Sequence, residues 1–218
     1  MNISGRLLAI ASLVPQDATV ADIGSDHGLL IDHLSSQGRI DKGYATDNKA
    51  GPFRRLMERF RNEPRISAYQ ADGLTGLPAD VDTIVIAGMG GLLINRILIE
   101  GRSTLHKVKH IIISPHQQVA EVRQTMMNLG YKIEDELIVS EDNQFYEAIS
   151  FVHGVADYSE KELRYGPLNL ARHTPELIAK LKARLETIER LLKKNLPAFR
   201  LAELHREKEW IQQYDQNL

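Results

Sequence analysis

The chain has 218 residues, 43% hydrophobic and 26% charged, which is typical of a globular protein with one full α/β domain and a small appendage. Without cysteine, disulfides, thiolate metal sites and cysteine nucleophiles are excluded, and a net charge of −2 excludes a global basic field for nucleic acid. No signal peptide and no apolar run of membrane-spanning length are recognisable, so we predict a cytoplasmic protein with no membrane partner. We also expect no bound metal.

Short β-branched runs alternate with helical patterns in the first two thirds of the chain, as in a parallel sheet of βαβ units. The predicted strands of this part are Thr19–Ile23, Gly43–Thr46, Arg65–Ala71, Thr83–Ala87 and His110–Ser114. Two more strands, Tyr131–Ser140 and Phe145–Val152, have no helix between them and predict an antiparallel hairpin. This pattern is typical of the seven-stranded, Rossmann-like class I methyltransferase variant of the doubly wound α/β fold.

An amphipathic helix is predicted over Phe53–Phe60, because its apolar residues recur at i, i+3, i+4 and i+7. The arginines that flank its apolar stripe are Arg54, Arg55, Arg59 and Arg61, with Arg65 beyond them. A solvated face with snorkelling arginines is one interpretation, and a phosphate-contacting patch is the other.

The chain changes character after Val152. Ser159 begins a capping-box pattern, and Gly166-Pro167 ends the short helix that follows. Thr174-Pro175 then begins a leucine-striped helix, which Pro197 separates from a second one. We therefore predict a coiled-coil-like α-hairpin as a C-terminal extension, with a methyltransferase domain over residues 1–156 and the helical part over 157–218.

Four predicted strands end in residues that suit a nucleoside ligand. The ends are Asp22-x-Gly24, Asp47, Asp72-Gly73 and the run Ala87 to Gly91. An acid after the second strand can take the hydroxyls of a ribose, and glycines let a ligand approach the backbone. Each end alone could equally be a helix cap or a turn. Their register at one edge of one sheet favours a shared nucleoside site.

The first turn distinguishes between nucleoside cofactors. Gly24-Ser25-Asp26-His27-Gly28 lacks the central glycine of the dinucleotide fingerprint. The Asp26 carboxylate would repel a pyrophosphate but suits the ammonium of S-adenosyl-L-methionine, which favours a methyltransferase over an oxidoreductase. The predicted cofactor-binding residues are Asp22, Gly24, Ser25, Asp26, His27, Asp47, Asn48, Asp72, Gly73, Ala87, Gly88, Met89 and Gly90.

Five blocks of the sequence resemble one enzyme family. They are Asp22-Ile23-Gly24-Ser25-Asp26-His27, Gly51-Pro52, Asp72-Gly73-Leu74, Ile86-Ala87-Gly88-Met89-Gly90-Gly91 and Tyr146-Glu147. They are similar to motifs of the bacterial tRNA (adenine-N1)-methyltransferases that modify adenine 22 of tRNA. The resemblance extends from Arg6-Leu7 to the helical tail and implies S-adenosyl-L-methionine as cofactor and tRNA as partner. It leaves the oligomeric state open, with a monomer as the default.

An adenine ring nitrogen already carries a lone pair, so catalysis on this acceptor should consist mainly of positioning. The candidate catalytic residues are Asp26, which can stabilise the developing positive charge, and His27 and His116, which can position the base. The chain has Ser114-Pro115-His116 where the family is expected to have Gln-Pro-Asn, and Gly28-Leu29-Leu30-Ile31 also departs from its pattern. The first of these turns is expected to face the target base.

The predicted RNA-binding residues form three groups. They are Arg54, Arg55, Arg59 and Arg61; Lys107 and Lys109; and Lys193, Lys194 and Arg200. Two other functions fit the same pattern: a methyltransferase acting on a small molecule or a protein, and a non-catalytic RNA-binding module. Cofactor binding without methylation of tRNA would favour the first of these functions, and tRNA binding without cofactor binding would favour the second.

Overall fold

In the computed structural model of the chain, residues 3–216 are described, with side chains as far as Tyr214. A seven-stranded sheet is the centre of the first of two compact units, which divide between Pro167 and Leu168. The strands are β1 (Ala18–Ile23), β2 (Ile40–Asp47), β3 (Ile66–Gln70), β4 (Thr83–Met89), β5 (His110–Pro115), β6 (Tyr131–Glu141) and β7 (Gln144–His153).

The strand order is β3-β2-β1-β4-β5-β7-β6. Strands β1 to β5 pair in parallel, whereas β7 is antiparallel to both β5 and β6. Asp142 and Asn143 form the two-residue turn between β6 and β7, both with positive φ, as a tight hairpin requires. The predicted doubly wound sheet with a terminal hairpin is thereby confirmed.

The helices of this unit cover both faces of the sheet, except that α7 comes after the last strand along the chain. They are α1 (Gly5–Leu13), α2 (Leu29–Ser36), α3 (Ala50–Arg59), α4 (Gly91–Glu100), α5 (Arg102–Leu105), α6 (Val119–Asn128) and α7 (Glu160–Tyr165). Helix α3 begins at Ala50, before the predicted start at Phe53. Pro52 is tolerated there because a backbone N–H in the first turn of a helix would have no intrahelical acceptor. The capping box predicted at Ser159 is present at the start of α7.

Helices on both sides bury the central strands. In β4 and β5, Ile84–Ile86 and Ile111–Ile113 are fully buried, which explains their unbroken apolar sequence. Because the parallel strands point the same way, the turns after β1, β2 and β4 meet at one edge of the sheet. The strand order reverses between β1 and β4, which is where open α/β sheets form a ligand crevice.

The second unit, from Leu168 onward, consists mainly of α9 (Pro175–Leu192) and α10 (Ala198–Gln216), preceded by α8 (Pro167–Arg172). Arg184 donates two hydrogen bonds from α9 to the Glu207 carboxylate of α10, at 2.8 and 2.7 Å. These helices form the predicted hairpin. No helix in the described part of the chain is long and apolar enough to cross a membrane. The predicted boundary after residue 156 would assign helix α7 to the helical extension, but α7 belongs to the sheet unit, which extends to Pro167.

Candidate active site

The turn after β1 requires glycine at position 24. Gly24 has φ +69, and a Cβ added there would lie 2.1 Å from Cε of Met89, at the end of β4. The turns after β1 and β4 therefore touch, and a side chain at position 24 would push Met89 toward the space between them. Asp26 also has a positive φ of 46, which shows how tightly this turn is wound.

Asp22 is a buried carboxylate at the end of β1, with 6% of its surface exposed. Burial raises its pKa from 3.8 to about 6, and a hydrogen bond from Ser25 Oγ to its Oδ2, at 2.5 Å, acts in the opposite direction. Desolvation thus makes the ionised form of Asp22 unfavourable in the protein alone. A cationic ligand group beside Asp22 would remove much of this cost.

A cavity of about 450 Å³ lies at the carboxyl ends of β1, β2 and β4. The predicted cofactor-binding residues that line it are Gly24, Asp26, Asp47, Asn48, Asp72, Gly73 and Met89. Residues of its wall that the sequence did not single out include Lys49, Leu93, Arg96 and Ile97. The cavity therefore combines three carboxylates with an apolar side, as a polar nucleoside ligand requires.

The acids of this cavity are held in defined positions. Asp47 Oδ1 accepts the Lys49 backbone N–H at 2.9 Å, which fixes the carboxylate after β2. Asn48 Nδ2 donates to Asp72 Oδ1 at 3.3 Å, which links the ends of β2 and β3. Carboxylates that are fixed in this way can accept hydrogen bonds from ribose hydroxyls and from an adenine amino group.

A second cavity, of about 270 Å³, adjoins the first and shares Gly24 and Asp26 with it. We call it the acceptor pocket. It is lined by Arg6, Leu7, Asp22, Gly24, Ser25, Asp26, His27, Leu29, Leu30, Ala87, Gly88 and His116. The three predicted catalytic residues all belong to this wall. Five predicted cofactor residues line this pocket rather than the larger cavity: Asp22, Ser25, His27, Ala87 and Gly88. Gly90 lines neither cavity and is the N-cap of α4.

Asp26 carries a charge partner that the sequence did not indicate. Arg55 Nη2 donates to Asp26 Oδ1 at 2.8 Å, and His27 Nε2 lies 3.4 Å from Asp26 Oδ2. Since the Asp26 side chain is 55% exposed, this ion pair is solvated and weak. A ligand ammonium can therefore compete with Arg55 for the Asp26 carboxylate.

Arg6 and Tyr146 are site residues to which the sequence patterns gave no role. Arg6 Nη1 lies 3.3 Å from His116 Nε2, and its guanidinium lies 5.1 Å from the centre of the Tyr146 ring. Neither belongs to a strand-end motif, and only folding brings α1 beside the turn after β5. The Arg6-Leu7 and Tyr146-Glu147 blocks of the family resemblance were the available signals.

The four predicted RNA-binding arginines in and just after α3 separate into two pairs. Arg55 and Arg59 contact carboxylates of their own unit, since Arg59 Nη2 donates to Asp32 Oδ2 at 2.8 Å. Arg54 and Arg61 instead border a groove of about 640 Å³ with an apolar floor that includes Met57. The prediction of RNA contact is therefore restricted to this groove and no longer includes all four arginines.

The other predicted RNA-binding residues lie elsewhere. Lys107 and Lys109 precede β5, so they lie at the edge of the sheet opposite the cavities, about 20 Å away along the six-residue strand. Lys193, Lys194 and Arg200 surround the turn between α9 and α10 in the second unit. Arg200 Nη1 donates to Glu203 Oε2 at 2.7 Å. In the described residues, no cluster of three or more potential ligands suits a metal ion.

Comparison with known proteins agrees with this geometry. Residues 3–149 match a family model described as a methyltransferase domain, so the chain is a methyltransferase by fold and family. The tRNA (adenine(22)-N(1))-methyltransferase of Bacillus subtilis is 31% identical over 175 residues, covering 78% of this chain and 71% of that protein. The chain belongs to the tRNA (adenine(22)-N1)-methyltransferase family.

Solved structures extend the similarity to almost the whole chain. A Streptococcus pneumoniae protein, described as a candidate tRNA (m1A22) methyltransferase and solved with S-adenosyl-L-methionine, is 30% identical with a TM-score of 0.89. The similarity covers 98% of this chain and 99% of that one. The Bacillus subtilis m1A22 tRNA methyltransferase TrmK is 26% identical with a TM-score of 0.83, covering 98% of each chain.

Proposed function

We propose that the chain transfers the methyl group of S-adenosyl-L-methionine to N1 of adenine 22 in tRNA. The observation that carries this proposal is the pair of adjoining cavities that share Gly24 and Asp26 at the switch point of the sheet. One cavity suits a nucleoside cofactor, and the other offers a neighbouring place for the base that is to be methylated. Family membership names this reaction.

The residues present fit the cofactor. Asp47 would accept from the ribose hydroxyls, and Asp72, with Asn48 beside it, would accept from the adenine amino group. Asp22 and Asp26 would face the ammonium, because a buried carboxylate with a raised pKa is stabilised by a cation. When bound, S-adenosyl-L-methionine supplies an electrophilic methyl group on a sulfonium.

The protein's part in the reaction is placement rather than proton abstraction. N1 of adenine carries its own lone pair, so no base is needed to generate the nucleophile. The acceptor pocket would hold the unstacked base beside the shared wall of Gly24 and Asp26. Methylation makes the adenine ring cationic, and the carboxylates of Asp22 and Asp26 would stabilise this charge as it develops. His27 and His116 would orient the edge of the base.

Two basic regions would hold the rest of the tRNA. On the first unit, Arg54 and Arg61 border the groove beside α3. On the second unit, Lys193 and Lys194 follow α9, and Phe199 is 70% exposed nearby in sequence. Exposed cations and an exposed aromatic ring are the residue types that contact phosphates and unstacked bases. An enzyme that modifies tRNA would act where tRNA is found, which supports a cytoplasmic location for this chain.

Methyl transfer to unmodified tRNA transcripts tests the proposal. Labelled S-adenosyl-L-methionine is incubated with a transcript that carries adenosine 22 and with the same transcript carrying guanosine there, and the nucleosides are analysed. We expect N1-methyladenosine in the first transcript only. Asp47→Ala is the matched variant, which should lose cofactor binding and incorporation together. Cofactor binding without incorporation would refute the tRNA assignment and favour a small molecule or a protein as acceptor.

A further inference from the structure

We propose that Arg6 is the phosphate-binding residue at the mouth of the acceptor pocket, with Tyr146, His116 and Glu141 positioning it. The ligand chemistry is the phosphodiester that flanks the unstacked nucleotide. This inference rests on the proposed function, because it concerns how the same site receives its RNA substrate.

The backbone of Arg6 is fixed from a distant part of the chain. Glu141, at the end of β6, accepts the Gly5 N–H at 2.9 Å and the Arg6 N–H at 3.3 Å. These N–H groups belong to the first turn of α1, where they have no intrahelical partner. The Glu141 carboxylate therefore holds the start of α1 against the hairpin of β6 and β7.

Two rings fix the side chain. The Arg6 guanidinium lies 5.1 Å from the centre of the Tyr146 ring, within the range of a cation–π contact. Arg6 Nη1 lies 3.3 Å from His116 Nε2. A guanidinium can only donate, so His116 Nε2 is the acceptor, and the ring proton of His116 is on Nδ1 in this arrangement. The rings of His116 and Tyr146 meet edge to face at 6.1 Å. Arg6 is thus oriented from three elements before any substrate arrives.

The charge of Arg6 is not neutralised by a neighbouring carboxylate. Arg55, Arg59 and Arg123 each form an ion pair with a carboxylate, whereas Arg6 forms none with the residues that the structure describes. Arg6 is half-buried and lines the pocket, and His116 beside it is exposed, so the guanidinium stands at the rim. A planar fork of donors on an oriented guanidinium is suited to bidentate binding of a phosphate.

Phosphate is favoured over the base itself by the charge change of the reaction. Methylation moves a positive charge onto the adenine ring, and a guanidinium against that ring would oppose the transfer. A phosphodiester carries a full negative charge and stays outside when its base enters a pocket. Arg6 therefore suits the backbone at the entrance, while the carboxylates of Asp22 and Asp26 suit the base inside.

The test compares Arg6→Met, Arg6→Lys and the control Arg102→Met, an exposed arginine at the start of α5 that lines neither cavity. Affinity for tRNA is measured between about 50 and 200 mM salt, with the dependence of log affinity on log salt as the readout. Arg6→Met should weaken binding by about tenfold or more and lower the slope by about 0.7 to 0.9, the loss of one phosphate contact. Arg6→Lys should keep the slope and recover only part of the affinity, and Arg102→Met should change neither.

A tRNA with uncharged methylphosphonate linkages flanking nucleotide 22 completes the test. The wild-type protein should bind and methylate the methylphosphonate tRNA less well than the unmodified tRNA. The factor should equal the loss of affinity that Arg6→Met causes with unmodified tRNA. The Arg6→Met protein should bind both tRNAs equally. An unchanged slope in Arg6→Met, or an equal methylphosphonate effect in both proteins, would overturn the inference. Unchanged S-adenosyl-L-methionine affinity and melting temperature show that Arg6→Met is folded. If the wild-type protein itself methylates no tRNA, the proposed function fails instead.

Discussion

Replacing Asp22 by Asn should make the first unit more stable at pH 8 and at the same time remove cofactor binding. Burial raises the Asp22 pKa from 3.8 to about 6. Each pK unit corresponds to 1.36 kcal/mol, so the ionised carboxylate costs as much as about 3 kcal/mol of stability at pH 8. An amide of the same shape carries no charge and avoids this cost. In a unit of this size, 1 kcal/mol shifts the melting temperature by about 2–4 °C, which predicts a rise of about 6–12 °C.

The pH dependence gives the sign of the effect. Because the folded-state pKa is above the unfolded value, the cost is complete above about pH 6, decreases between about 6 and 3.8, and disappears below 3.8. The difference in stability between Asp22→Asn and the wild type should follow the same window. Ser25→Ala is the matched control. It removes the hydrogen bond that favours the ionised form and should destabilise the unit at pH 8.

Differential scanning calorimetry from pH 4 to 8 measures this difference, and titration calorimetry with S-adenosyl-L-methionine measures the loss of binding. Fluorescence of Trp210, the single tryptophan, reports the unfolding of the second unit. Asp22→Asn should leave this unfolding transition unchanged. An Asp22→Asn variant that is no more stable than the wild type at pH 8, or whose gain in stability is as large at pH 4 as at pH 8, would show that burial of the ionised Asp22 does not destabilise the protein.

Three further outcomes are expected. Arg123→Met should destabilise the first unit by about 3–5 kcal/mol in urea denaturation, because it leaves buried carboxylates at 2.6 and 2.5 Å without their cation; no change would contradict it. Gly24→Ala should weaken S-adenosyl-L-methionine binding by more than about tenfold, because the φ of +69 is strained and the added Cβ displaces Met89 into the cofactor cavity, and titration calorimetry tests this. The double variant Lys193→Glu, Lys194→Glu should lower the salt slope of tRNA binding by about 2 at unchanged cofactor affinity, and an unchanged slope would exclude these contacts.

Residue patterns along the chain are sufficient to predict the elements and the edge of the sheet at which a ligand is expected to bind. Short β-branched runs mark strands that are buried on both faces, and apolar residues at helical spacing mark a helix with one buried face, so the seven strands and the helical hairpin could be predicted from them. Local capping also needs only neighbours in sequence, as at Ser159 and Thr174. The aspartates after β1, β2 and β3 could be placed together, because the carboxyl ends of parallel strands always meet at one edge.

The packing of distant elements determines which charged side chains already have an ion-pair partner. Arg55 and Arg59 of α3 could not be distinguished in sequence from their neighbours Arg54 and Arg61. Folding pairs the first two with Asp26 and Asp32, 29 and 27 residues away along the chain.

The fully buried Arg123 of α6 stood in an ordinary helical pattern, and its partners Glu136 and Glu147 come from the strands β6 and β7. Arg6 reaches His116 over 110 residues. Ion pairs and ring contacts of this kind form between side chains that only the packing of separate elements brings together, so no local periodicity records them.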